Sequence, residues 1–167
     1  SLPVFDLIVL DAFANRVCDP GQLSTVFTIS NGSALVDIPN DTKFSFYFNG
    51  QTTPFAVKTL GELLNDPSFQ LSFENGEIQI IYIFDGLTIP GGDVEIIILG
   101  NYDGSISYDG AGNAVFDPNS FELIECNYDN NTTQDPVEIL DTPEFTIENT
   151  DPFYCEGDDS DPTLPTI

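Results

Sequence analysis

Residues 43–48 read Lys-Phe-Ser-Phe-Tyr-Phe, and the dipeptide Asn49-Gly50 follows directly. Phe44, Phe46 and Phe48 occupy alternate positions, which is the two-residue period of a β-strand with one buried face. Asn-Gly is a strong short-range signal for a tight turn between two strands. This stretch therefore predicts a β-strand that ends in a turn.

The same pattern recurs on both sides of this strand. Further apolar or alternating runs give seven or eight short strands with turn signals between them and no long helix, which predicts an antiparallel β-sandwich. The spacing of Thr59 and Glu62 matches a capping box, so a single helical turn is expected there. The runs are residues 4–10, 23–29, 54–57, 69–73, 77–84, 94–99 and 120–127. Their patterns predict a core that includes Leu7, Val9, Val26, Phe44, Phe46, Ile81, Ile97 and Ile124.

The composition divides the chain into a module and a tail. Residues 1–134 hold the predicted strands, whereas residues 135–161 contain ten acidic residues, three prolines and no basic residue. Residues 135–167 are therefore expected to form an acidic, proline-rich linker, in which residues 145–147 are the one candidate strand. Within the module, residues 101–119 are rich in Gly, Asp and Asn and are expected to form an exposed loop.

The net charge narrows the range of partners. The chain has 28 acidic residues and three basic ones, for a net charge of −25. Nucleic-acid phosphates and anionic membrane surfaces both require Lys and Arg, so neither is an expected partner. No apolar run approaches 18 residues, so no membrane insertion is expected. Mutual repulsion favours a monomer, and bound divalent cations or a salty medium would relieve the repulsion.

The residue types that most enzymes use are missing. The chain has no His, which excludes Ser-His-Asp and Cys-His triads as well as His-based zinc sites. It also lacks Cys-x-x-Cys and the glycine-rich nucleotide motifs. Pairs of carboxylates could cleave glycosides, but the chain has no Trp to line a sugar cleft. We therefore expect a non-catalytic protein without a resident organic cofactor.

Four motifs give the module a family resemblance. They are Asp6-Leu-Ile-Val9, Val26-Phe-Thr-Ile-Ser-Asn-Gly32 after Cys18, Phe44-Ser-Phe-Tyr-Phe-Asn-Gly50 and Glu125-Cys-Asn-Tyr-Asp-Asn-Asn131. In order and spacing they resemble CARDB-like repeats, the immunoglobulin-type modules of bacterial surface proteins. The last motif is the most specific, and its form with paired cysteines is typical of the giant adhesins of gliding Bacteroidetes. Residues 59–92 and 101–119 are longer than in the family pattern.

The resemblance implies an extracellular, cell-surface location and a spacer role in surface attachment or gliding motility, with neighbouring repeats of the same chain as partners. Tyr154-Cys-Glu-Gly-Asp158 and Pro162-Thr-Leu-Pro-Thr166 are similar to the start of another repeat type. Two alternatives stay open. The apolar segment Leu2–Leu10 could complete a neighbour's sheet in an extracellular filament, or residues 59–92 and 101–119 could bind a surface glycan or protein.

The resemblance also bears on the cysteines. Cys18 and Cys126 lie beside predicted strand ends, and we expect them to form a disulfide. The bridge would close a loop of 126 − 18 = 108 residues and stabilise the fold by about 4–5 kcal/mol in the chain-entropy model. Two free, buried thiols are the alternative. Cys155 would be unpaired in this chain, with its partner beyond Ile167.

Residues 101–119 offer a second candidate site. Asp103, Asp109, Asn113 and Asp117, together with Asn119, supply the oxygen ligands that Ca²⁺ prefers. The spacing differs from that of an EF-hand loop, and the alternative is an ordinary turn region in which Asx side chains bind nearby main-chain groups. Calcium at these residues is the one metal that the sequence suggests.

Overall fold

A computed structural model of the chain describes residues 4–17, 19–33, 36–65, 70–72 and 76–141. These residues form ten β-strands, one short α-helix and one 3₁₀ turn, and no helix among them is long and apolar enough to cross a membrane. In chain order the elements are β1 (Leu7–Arg16), β2 (Leu23–Asn31), β3 (Lys43–Phe48), β4 (Ala56–Thr59), α1 (Leu60–Asn65), β5 (Gln70–Ser72), β6 (Ile78–Phe84), β7 (Glu95–Gly100), β8 (Ile106–Tyr108), β9 (Ala114–Phe116), the 3₁₀ turn (Pro118–Ser120) and β10 (Val137–Leu140).

Eight of the strands form one mixed sheet in the order β4-β3-β7-β10-β1-β2-β6-β5. The β1-β2-β6 part and the β3-β7 part pack against each other across the core, and β10 joins them. β10 pairs in parallel with β1 and antiparallel with β7, while the other pairs are antiparallel. This arrangement confirms the predicted all-β, immunoglobulin-like sandwich, with one parallel pair added.

Aromatic side chains fill the space between the two halves. The ring of Phe27 on β2 lies 5.9 Å from the rings of both Phe44 and Phe46 on β3, measured between centroids. Phe46 also meets Phe84 of β6 edge to face at 4.9 Å. Such pairs add to the stabilisation that burial of the rings already provides. The alternating phenylalanines of β3 therefore form the centre of the core.

Most of the predicted core residues are buried: Leu7, Val9, Val26, Phe44, Phe46 and Ile97. Ile81 is only half-buried, because Ile80 faces the core and a strand turns successive side chains to opposite faces. The prediction for Ile124 was wrong, since 77% of that residue is exposed. Residues 120–127 contribute an isolated bridge between Phe121 and Tyr102 in place of the expected strand.

The predicted capping box is present at the start of α1. The main-chain N–H of Thr59 donates to Oε2 of Glu62 at 2.8 Å, and the N–H of Glu62 donates to Oγ1 of Thr59 at 3.2 Å. These bonds satisfy N–H groups that a helix start leaves without partners. The main-chain bond from Thr59 is also the main reason why the pKa of Glu62 is lowered.

Residues 101–119 are more ordered than the predicted exposed loop. β8 and β9 form a separate two-stranded sheet within them. Tyr102 and Ile106 are buried in a second, smaller core against Tyr47, Ile97 and Leu99 on the outer side of β3 and β7. The glycines and Asx residues mark the turns of this hairpin, whereas its few apolar residues fix it to the sandwich.

The sheet also extends beyond the predicted end of the module at residue 134. β10 lies within the stretch that composition marked as linker, and its Ile139 is buried in the main core. Four residues were enough for a strand because β1 and β7 supply hydrogen-bonding partners on both sides. The other candidate strand of the tail, residues 145–147, lies outside the described residues.

Candidate functional site

The motif at residues 125–131 lies in what we term the closing segment, residues 121–133, which runs between β1 and β7. The N–H of Val9 donates to the carbonyl oxygen of Asn130 at 3.0 Å, and the N–H of Gly100 donates to the carbonyl oxygen of Asn131 at 2.7 Å. These bonds join the segment to β1 on one side and to β7 on the other. The segment therefore bridges β1 and β7, the same two strands with which β10 pairs further along the chain.

Glu125 is the unusual residue of this segment. It is 6% exposed, and its Oε2 accepts a hydrogen bond of 3.3 Å from the N–H of Leu7. Its Oε1 is buried and has no partner among the described residues. Burial raises the pKa of Glu125 to about 7, a shift that the Asp6 carboxylate increases and that the Asn131 amide, the Leu7 N–H and the Asn101 amide oppose.

Two buried amides flank the carboxyl group. Asn101, in the left-handed conformation at φ 53°, donates from Nδ2 to the carbonyl oxygen of Leu123 at 2.7 Å and accepts from its N–H at 2.9 Å. Asn131 donates from Nδ2 to the carbonyl oxygen of Gly100 at 3.2 Å, while its Oδ1 has no partner in the described structure. The side-chain amides of Asn101 and Asn131 thus bond to main-chain groups of Leu123 and Gly100 and hold the closing segment against the end of β7.

The sequence patterns do not indicate Glu125, Asn101 or Asn131 as site residues. With 28 acidic residues in the chain, nothing in the composition distinguishes the one carboxyl group that becomes buried. The one signal in the sequence is the motif from Glu125 to Asn131, which carries the family resemblance.

Two residues of the predicted calcium site do come together. Asp109 accepts hydrogen bonds from the N–H groups of Ala111 and Asn113, both at 2.9 Å, and from Nδ2 of Asn113 at 3.1 Å. The bonds from Asn113 are the main reason why the pKa of Asp109 is lowered. This is the geometry of an Asx turn between β8 and β9, in which the carboxylate is already provided with donors.

The other carboxylates of the predicted calcium site have separate partners. Asp103 accepts from Nζ of Lys43 at 2.6 Å, and Asp117 accepts from the N–H of Asn119 at 2.9 Å as the cap of the 3₁₀ turn. Over the described ranges, no group of three acidic, His or Cys side chains is arranged to hold a metal ion. The proposal of calcium at Asp103, Asp109, Asn113 and Asp117 therefore gains no support from this geometry.

Cys126 is exposed and free, and it is the one cysteine within the described ranges. Its N–H donates to the carbonyl oxygen of Phe5, just before β1 begins. Val17 and Asp19, the neighbours of Cys18 in the chain, lie just after the end of β1. The ten residues of β1 span roughly 30 Å, whereas a disulfide needs Cα atoms about 4–7 Å apart.

Cys18 and Cys155 themselves lie outside the described residues. The Cys18–Cys126 disulfide is therefore an untested prediction, and the placement of the flanking residues argues against it.

A shallow groove of about 280 Å³ lies between α1 and the ends of β2 and β6. Its walls are mainly apolar, with Ile29, Ile38, Leu60 and Leu64 among them, and Asp37 lies at the same groove. It is smaller than most small-molecule sites, and none of its described lining residues is aromatic. The groove is therefore a weak basis for the binding role that residues 59–92 suggested.

No family model, curated protein or solved structure matches this chain. The resemblance to CARDB-like repeats therefore rests on the four sequence motifs, and a functional argument has to start from the fold described above.

Proposed function

We propose that residues 1–141 form a non-catalytic spacer module of a secreted cell-surface adhesin, which transmits tension along a series of repeats. The observation that supports this proposal best is the parallel pairing of β1 with β10. Ala14 pairs with Ile139 and Asn15 pairs with Leu140. Parallel neighbours place the start of the first strand and the end of the last strand at opposite ends of the module.

The positions of the outermost described residues agree with this geometry. Val4 lies at the closing segment beside Cys126, before β1 begins. Asp141 follows β10 and forms an ion pair of 3.0 Å with Nε of Arg16, the last residue of β1. A chain that enters at one end and leaves roughly 30 Å away, the length of β1, suits modules joined end to end.

The same pairing would make the module resistant to tension. When residues 4 and 141 are pulled apart, the force acts along β1 and β10, and their mutual contacts must break together. When force is applied to two adjacent strand ends, the contacts break one after another and a smaller force suffices. A spacer needs this resistance and requires no catalytic site.

A pulling experiment with two attachment geometries tests the proposal. Attachment at residues 4 and 141 loads β1 and β10 lengthwise, whereas attachment at residues 19 and 141 loads the adjacent ends of the same two strands. We expect a several-fold higher unfolding force in the first geometry. Equal forces, or a higher force in the second geometry, would contradict a spacer role that rests on this strand pair.

The filament alternative predicts a different use of the first strand. Residues Leu7 to Leu10 of the candidate donor segment are paired with β2 of the same chain, from Leu7 opposite Asn31 to Leu10 opposite Thr28. Donation to a neighbour would require those pairs to open. Sedimentation of the full chain separates the two functions, because a spacer module stays monomeric and a filament subunit grows into polymers with concentration.

A further inference from the structure

Two buried acceptor oxygens at Glu125 have no hydrogen-bond partner within the described structure. Oε1 of Glu125 and Oδ1 of Asn131 both lack a partner among the described residues. Asn101 and Asn131 each use one of the two N–H groups of the side-chain amide on a main-chain carbonyl group, and their remaining interaction with the carboxyl group only partly offsets the effect of burial. The N–H of Leu7, at 3.3 Å, is the single main-chain donor to the carboxyl group within the described ranges. A buried acceptor without a donor is destabilising, so one further donor would stabilise this region.

We propose that Glu125 is a pH-sensitive latch: the neutral carboxyl group holds the closing segment against the start of β1, and ionisation of the group loosens that contact. A neutral carboxyl group carries one O–H donor, which a carboxylate lacks. The proton therefore supplies the missing donor and removes a negative charge from a site where burial opposes it.

The charged groups around Glu125 act in the same direction. Asp6, just before β1, is the described ionised group that acts on Glu125, and its negative charge favours the neutral form. Oδ1 of Asp6 accepts from Nδ2 of Asn130 at 3.0 Å, so Asp6 is held at the same segment. The β7 side presents the uncharged amide of Asn101. Lys43, a basic residue that contacts the closing segment through Glu122, is also bound to Asp103.

The direction of the pH effect follows from the two protonation equilibria. The pKa of Glu125 rises from 4.5 in a solvated chain to about 7 in the folded one. The folded state therefore binds the proton more tightly, and the stabilisation is complete below pH 4.5 and is lost as the pH rises through 7. The difference between these two pKa values means that the folded chain binds this proton roughly 300-fold more tightly than a solvated chain does. Between pH 4 and pH 8, we expect local opening of the segment to rise roughly 200-fold.

Hydrogen exchange of the Leu7 and Cys126 amides measures this opening directly, since both amides bond across the contact. After correction for intrinsic exchange rates, opening should rise with pH in the wild-type chain and much less in Glu125→Gln, which cannot ionise. Glu122→Gln is the matched control, because it removes an exposed carboxyl group from the same segment. All three chains share the general repulsion among acidic residues, so the difference isolates Glu125.

Equal pH profiles in the wild type and Glu125→Gln would overturn the proposal, and so would opening that becomes rarer as pH rises. Should Glu125→Gln fail to fold, the titration of the Glu125 carboxyl carbon by NMR in the wild-type chain still decides the matter. A midpoint near 7 is expected, and a midpoint at or below 4.5 would refute the latch.

Discussion

Substitution of Ile139 by alanine should destabilise the whole sandwich, although composition places this residue in a linker. Ile139 is 6% exposed in the main core, and its N–H donates to the carbonyl oxygen of Val94 at 2.8 Å. Truncation of a buried Ile to Ala typically costs about 2–5 kcal/mol, and we expect about 3 kcal/mol here. That is a large share of the roughly 5–15 kcal/mol by which small domains are stable.

Urea unfolding of the full chain measures this loss as a lower midpoint at an unchanged slope. Leu140→Ala is the matched control, because its side chain points away from the core and is 49% exposed; it should cost less than about 1 kcal/mol. A chain that ends at Gln134 should lose more than Ile139→Ala does, since β1 and β7 then lose their shared neighbour. The place of β10 in the fold would be refuted if Ile139→Ala were as stable as the wild type. It would also be refuted if the chain ending at Gln134 were as stable as the wild type.

The two sequence-predicted sites give the remaining predictions. Cys126 should react with a thiol reagent in the folded, unreduced chain, because the described neighbours of Cys18 lie roughly 30 Å away along β1; recovery of a Cys18–Cys126 peptide would contradict that arrangement. The melting temperature should be equal in millimolar calcium and in chelator at matched ionic strength, because Asp103 and Asp109 already have local partners. A calcium-dependent rise that Asp109→Asn abolishes would instead establish the site.

The strands that the sequence predicted correctly are those whose pattern is decided locally. Phe44, Phe46 and Phe48 alternate without interruption, and a strand needs only that alternation to bury one face. The capping box at Thr59 is equally local, because both of its hydrogen bonds lie within four residues. Where the apolar residues run continuously, as around Ile81, the two faces of the strand look alike in sequence, and the prediction of burial fails.

The features that the sequence did not predict depend on distant partners. β10 is four residues long, within an acidic stretch, and exists because β1 and β7 provide bonds from more than 30 residues away. Ile124 follows an apolar pattern, yet the neighbouring Glu125 is buried in its place, since the Leu7 N–H and two amides meet the carboxyl group there. No local rule predicts a buried carboxyl group beside an exposed isoleucine.

The closing segment and β10 hold opposite ends of β1. At the entry end, Phe5 bonds to Cys126 and Leu7 bonds to Glu125, which joins the start of β1 to the closing segment. At the other end, Asn15 and Arg16 contact Leu140 and Asp141. Tension between residues 4 and 141 therefore reaches the Glu125 contact at the entry end and the β10 contact at the exit end. Because ionisation of Glu125 places a negative charge at a buried site near Asp6, the entry end is the part of this line that the proposed latch would weaken as pH rises, while the exit end depends on packing around Ile139.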